Sequence, residues 1–217
     1  MHRVSLRCKV PRRAISVRLA RLATLVAAAL ALTCAAQTPQ TLEGKALVDA
    51  LRKGGYVLYL RHAATDFGQN DEAMTDYANC AQQRNLTDAG RAEARAIGAA
   101  INELHIPVGP ILASPYCRTR ESAELVFGVP TVSPAVRGGP GTDDTGQRYA
   151  ELRKLLSTPV GSGGNLAIAS HGNPFRAVAG TPYLQEGEIA VIEPLGGGQF
   201  RVVARITKSD WKSLLAP

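Results

Sequence analysis

The sequence predicts an α/β fold, a three-layer α/β/α sandwich in which helices cover both faces of one sheet. Three observations carry this. Short apolar, β-favouring runs at 56–60, 110–114 and 165–170 have the length and composition of buried strands. Segments with helical spacing stand between them. Gly- and Pro-rich stretches punctuate the joins. Strands alternating with helices give a sheet covered on both faces, and ligands gather beyond the carboxyl ends of its strands.

The first helix is expected over 41–51, stopping at Gly54-Gly55, a C-terminal signal. The run 56–60 follows as the first strand, and the polar, turn-rich residues 63–85 read as a long loop. Thr87 is placed to cap a helix from 88 to about 104, with Ala92, Ala96, Ile97, Ala100, Ile101 and Leu104 on one side. A second strand at 110–114 leads to a helix over 119–127. Residues 130–146, rich in Gly and Pro, form another loop, and a short helix is expected near 149–156. The strand at 165–170 comes next. A closing pair, 189–193 and 200–206, flanks Gly196-Gly197-Gly198. Ser209 is placed to cap a last short helix carrying Trp211.

The chain has 217 residues and a formal net charge of +7, a balance that ordinarily raises nucleic acid as a partner. The distribution removes that class. Seven of the 25 basic residues and none of the 18 acidic ones lie within 1–36, so the remainder is formally neutral. That leader has a basic start, an apolar stretch over 22–36 and small residues at its end, the pattern of a secretory signal. Its fifteen apolar-stretch residues are short for a membrane span, which needs about 20. We therefore expect cleavage after Ala36, a signal peptide over 1–36 and a domain over 37–217, located in the periplasm or secreted, with no stable membrane insertion. An uncleaved anchor and lipidation of Cys34 are the alternatives, though Ala31-Leu32-Thr33 is a poor lipobox. Cleavage removes Cys8 and Cys34. Cys80 and Cys117 then form an even pair in an oxidising compartment, read as one disulfide, with two free thiols the alternative. With four histidines, one in the leader, and no CxxC, no metal-ligand spacing is present and no cofactor is called for.

The three core strands end alike. The first delivers Arg61-His62, the second Ser114-Pro115-Tyr116-Cys117-Arg118, and the third Ser170-His171-Gly172. Two imidazoles and two guanidiniums converging at strand ends suit a phosphate above other groups, because guanidinium forks match its oxygens bidentately. A histidine can attack phosphorus and hold it covalently, splitting one hard step into two. Fixed cations then supply the positioning and charge stabilisation that phosphoryl transfer needs. His105, in Leu104-His105-Ile106, belongs to no such pattern and is assigned no role.

These residues resemble the histidine phosphatase superfamily, also called phosphoglycerate mutase-like. Leu60-Arg61-His62-Ala63 resembles its RHG signature, and Leu86-Thr87-Asp88-Ala89-Gly90-Arg91-Ala92-Glu93-Ala94 its LTxxGxxQA helix start. Ser114-Pro115-Tyr116-Cys117-Arg118-Thr119-Arg120-Glu121-Ser122-Ala123-Glu124 is similar to SPLxRxxxTAE, and Ser170-His171-Gly172 to the late SHG. The match runs in order from about 55 to 175. It implies the phosphoglycerate mutase-like sandwich, a phosphomonoester hydrolase, His62 as nucleophile, and Arg61, Arg118 and His171 as the phosphate pocket. Ala63 stands where Gly is usual, and its methyl is expected to narrow the pocket floor slightly.

Gly172 after His171, rather than Asp, points to the mutase-like branch. Export points to a hydrolase, since a mutase needs a phosphorylated cytosolic cofactor. Short secreted relatives include a lipopolysaccharide heptose phosphatase type, which makes a small sugar or lipopolysaccharide phosphate the expected substrate. The rival reading is a phosphate-binding protein on the same fold with its chemistry lost. In mutase-like relatives the proton donor lies between the second Arg motif and the late His. That stretch offers Asp143 and Asp144, with Glu151 beyond; Glu186, Glu188 and Asp66 are the other candidates.

Overall fold

Strand β1, Val57–Arg61, is buried on both faces, as a central strand of a covered sheet must be. Its neighbours follow from the register. In this computed structural model, which describes residues 41–138, 149–161 and 163–216, six strands run in the order β3-β2-β4-β1-β5-β6. These are β2 Val108–Ala113, β3 Thr131–Val132, β4 Asn165–Ser170, β5 Ile189–Gly196 and β6 Gln199–Ile206. The first four in the order are parallel, and β5 and β6 close one edge as an antiparallel pair. All lie in the compact unit Gln40–Pro217.

Helices α1 Gly44–Lys53, α2 Asp88–Glu103, α3 Cys117–Val126 and α6 Asp210–Leu215 pack Leu51, Ile97, Ala123 and Trp211 on one face, against Leu58 and Leu60. On the other face, α4 Ala150–Ser157 and α5 Gly172–Ala179 bring Leu152, Leu156 and Phe175 onto Val57 and Tyr59. The period-two alternation along β1 thus feeds two separate cores, giving the expected three layers. Each fully buried Leu or Tyr contributes roughly 1.5–3 kcal/mol of apolar transfer.

Some local expectations are corrected. Helix α2 is capped as expected, Thr87 Oγ1 accepting from Gly90 N at 2.9 Å, but it buries Ala94, Ile97, Ala100 and Ile101 and exposes Ala92 and Ala96. Two glycines turn it: a Cβ at Gly90 would lie 2.2 Å from Ala64 O, and one at Gly98 2.6 Å from Leu125 O. Helix α3 starts at Cys117, two residues earlier than 119, because Tyr116 O accepts from both Thr119 N and Arg120 N. Helix α5 was not anticipated; Pro174 sits in its first turn, where the missing N–H costs nothing. Ser209 holds the N-cap position of α6 but caps no helix N–H, its hydroxyl pairing with Thr207 Oγ1 at 2.9 Å, and Asp210 Oδ2 accepts from Thr207 N at 2.7 Å.

Candidate active site

The register of the parallel strands levels their ends. Leu60 and Ala113 both pair with Ala169, and Arg61 pairs with Ser170. The chain therefore leaves β1, β2 and β4 at one height. His62 N donates to Ser170 O at 3.0 Å, and Ser114 N to Ala169 O at 3.0 Å. A cavity of about 250 Å3 opens there, lined by Arg61, His62, Arg118 and His171 among others. The four residues picked out at the strand ends are thus brought together.

His62 is 2 % exposed. Its Nδ1 lies 3.0 Å from Ala63 O, a group that only accepts, so Nδ1 carries the proton and Nε2 keeps its lone pair. Burial, and then the positive charges of Arg118, Arg61 and Arg84, push its pKa down from 6.5 to about 3. The ring is neutral at any ordinary pH, as a nucleophile must be. His171 is also held well below the usual range, by burial first and then by His62 and Arg118. The two rings meet edge to face with centroids 5.5 Å apart. His171 Nε2 pairs with Ser114 Oγ at 2.8 Å, and Tyr59 Oη donates to His171 O at 2.8 Å. Gly138 packs on the ring so closely that a Cβ there would lie 2.7 Å from His171 Cδ2.

The guanidiniums are held from behind. Arg61 Nη1 donates to Leu184 O at 2.7 Å and its plane lies over Tyr183, 5.2 Å from the ring centroid. Arg118 Nη1 donates to Asp71 Oδ1 at 2.9 Å, with its guanidinium 4.4 Å from the Tyr116 centroid. A third cation, Arg84, lines the same cavity and stacks on Phe67 at 4.8 Å. Sequence reasoning missed it, since it lies in the stretch read as a long loop. Asp71 fixes it there by accepting from Arg84 N at 2.9 Å. The Nε atoms of Arg61, Arg84 and Arg118 are all buried without a hydrogen-bond partner. Three guanidiniums around one cavity suit an anion.

Cys80 and Cys117 are bonded, with Cα atoms 5.7 Å apart. The bridge fastens the stretch carrying Asp71 and Arg84 to the first turn of α3, beside Arg118. Gln83 reinforces it, its Oε1 accepting from Cys117 N at 2.9 Å. Ala63 does not narrow the pocket: it is buried in the core beneath, N–H bonded to Ser122 Oγ at 2.9 Å, and lines no part of the cavity.

Asp143 and Asp144 lie outside the described residues; Gly138, the last described residue before them, lines the cavity. Among the alternatives, Glu188 is taken up by Arg205 Nε at 2.5 Å and Gln185 N at 2.7 Å. Asp66 closes a local turn by accepting from Gly68 N at 2.8 Å. Of the three, Glu186 is the one whose carboxylate reaches site side chains, with Oε1 3.4 Å from Arg61 Nη2 and 3.9 Å from His62 Nδ1. His105 is exposed, in the left-handed turn after α2. Among the described residues, no group of three or more His, Cys, Asp or Glu side chains could hold a metal ion.

The profile of the histidine phosphatase superfamily, branch 1, matches residues 57–139. Among solved structures, the protein histidine phosphatase SixA complexed with tungstate aligns at 20% identity and a TM-score of 0.51, covering 71% of this chain and 98% of that one. A mutant phosphoserine phosphatase from Entamoeba histolytica, in complex with phosphoserine, aligns at 12% identity and a TM-score of 0.50, over 70% and 97%. At these identities the likeness bears on the fold. No curated protein sequence matches the chain.

Proposed function

We propose that this chain, whose residues 57–139 match the model of the histidine phosphatase superfamily, branch 1, is a metal-independent phosphomonoesterase working through a phosphohistidine on His62. One observation carries this reading: a neutral, buried imidazole with Nε2 unprotonated shares a cavity with three guanidiniums. The phosphate dianion binds among Arg61, Arg84 and Arg118, with His171 completing the pocket. Nε2 of His62 attacks phosphorus in line, the N–P bond forming as the P–O bond to the leaving group breaks. Asp143 or Asp144 gives the departing alkoxide its proton and then takes one from the water that attacks the phosphohistidine. Inorganic phosphate leaves and His62 returns to neutrality.

The substrate in this reading is a small hydroxylated phosphate ester, such as a sugar or lipopolysaccharide phosphate. The small cavity supports it, as do the polar groups of Asp71, Asn173, Tyr116 and Tyr183 along its walls. The leader supports action after export, in the periplasm or outside the cell. Neither nucleic acid nor stable membrane insertion enters this reading. Among the described residues, no helix is long and apolar enough to cross a membrane. Purified residues 37–217 should hydrolyse an activated aryl phosphate and, from a panel of phosphate esters, prefer small sugar phosphates. Tight tungstate or phosphate binding with no turnover of any ester would instead establish a phosphate-binding protein that has lost its chemistry.

A further inference from the structure

Glu186 sits at the tip of a turn bound to the nucleophile's own backbone. Gly187 N donates to Arg61 O at 3.2 Å and to His62 O at 3.0 Å, while Arg61 N donates to Glu188 O at 3.1 Å. The turn is braced from outside by Arg205, which donates through Nε to Glu188 Oε1 at 2.5 Å and through Nη1 to Pro182 O at 2.6 Å. On this mount the Glu186 carboxylate is fixed at both oxygens. Oε1 accepts from Thr65 Oγ1 at 2.8 Å and Oε2 from Thr65 N at 3.2 Å. Its side chain is only 15% exposed, and Oε1 lies 3.9 Å from His62 Nδ1.

That position excludes the role of proton donor. Nδ1 is the rear of the ring as the phosphoryl group meets it. Phosphorus bonds to Nε2, and the leaving oxygen departs on the far side of phosphorus, away from Glu186. What the rear of the ring does experience is charge. Neutral His62 still carries its Nδ1 proton, directed at Ala63 O. When Nε2 forms its bond to phosphorus, that proton stays and the ring becomes cationic. The surroundings oppose this, because Arg61, Arg84 and Arg118 line the same cavity. A fixed anion behind Nδ1, added to the Ala63 carbonyl that accepts its proton, favours the charge where and when it develops.

We infer that Glu186 is a positioning residue that supplies the counter-charge for the phosphorylated imidazole, holding His62 and Arg61 in a common electrostatic frame. The inference rests on the phosphohistidine reading above. It predicts a split between chemistry and anion binding, because the carboxylate stabilises the cationic ring but makes no contact with the phosphate.

The test is Glu186→Gln, which keeps the size of the side chain and one acceptor oxygen for Thr65 and removes the charge together with the second acceptor. Rapid-quench labelling with an activated aryl phosphate reads the rate of phosphohistidine formation, and tungstate inhibition reads anion affinity. The phosphorylation rate should fall about 100-fold, with tungstate affinity within about threefold of the original and Tm unchanged. A rate equal to the parent protein, or a loss matched by an equal loss of tungstate affinity, overturns the role. Should that variant fold poorly, Glu186→Asp keeps the charge but withdraws it by one methylene and must show an intermediate loss; a parental rate there also overturns it. Absence of any labelling in the parent protein would overturn the phosphohistidine reading and this inference together, whereas equal labelling in parent and variant overturns only the inference.

Discussion

Replacing Cys80 and Cys117 together by Ser tests what the bridge contributes. The bond closes a loop of 37 residues, and the chain-entropy relation gives about 4 kcal/mol for a loop of that size. At roughly 2–4 °C per kcal/mol for a domain near this length, Tm should fall by about 8–16 °C. The loop's contents add a functional consequence. Asp71 accepts from Arg118 Nη1 and from Arg84 N, so loosening the loop blurs the positions of two of the three guanidiniums. KM for an aryl phosphate should therefore rise several-fold while kcat changes less, since His62 is mounted on β1 and not on the loop. Scanning calorimetry and steady-state kinetics on parent and double variant, with and without dithiothreitol, measure both effects. A Tm within about 2 °C of the parent would refute the reasoning, as would free alkylation of both thiols in the exported protein.

His62→Ala should abolish turnover and the acid-labile label seen in the parent, and EDTA should leave parental activity intact; full activity in the variant, or loss with EDTA, overturns the mechanism. Acid should destabilise the protein through its two buried imidazoles. Both bind fewer protons folded than unfolded, so stability rises with pH across the window from about 3, the folded value for His62, to 6.5. It is lost as pH falls through that window, by up to about 1.4 kcal/mol per pH unit for each histidine. Urea titrations between pH 4 and 7 should show this slope and His171→Gln should flatten it; a slope unaltered by that change would refute the assignment. Asp143→Asn or Asp144→Asn should slow alkyl phosphate hydrolysis at least tenfold more than that of an activated aryl ester, and no change in either variant would remove both as donor. Intact mass of the exported protein should correspond to a chain beginning at Gln37, and a mass that includes Met1 would restore the anchor.

The central strands and the four strand-end residues were legible because their signals are local. An apolar run followed at once by Arg-His or Ser-His ties side chain to strand in a few consecutive residues, and the fold does the rest by levelling the ends. Arg84 was not legible. It reaches the cavity because Asp71, thirteen residues away, and the Cys80–Cys117 bridge fold its stretch back, and no periodicity announces such a contact. Glu186 was visible only as one of several carboxylates; its place beside His62 depends on a turn bound to the backbone of β1. The buried face of α2 was misjudged for a related reason. Alanine is apolar wherever it stands, so Ala92 and Ala94 read alike until the close approach at Gly90 decides which one faces the sheet.

The common pairing of Leu60 and Ala113 with Ala169 has a consequence for any preparation of this protein. Side chains alternate along a strand, so a one-residue slip of β4 would exchange the groups it gives to the two cores and displace His171 from its place beside His62. The same slip would turn Ile168, now packed with Val57 and Tyr59, toward the opposite core, where Ala169 stands. No partly paired arrangement keeps the imidazoles and guanidiniums together while sacrificing the sheet. Specific activity of a refolded sample is thus a direct gauge of the fraction of molecules whose strands have paired in native register.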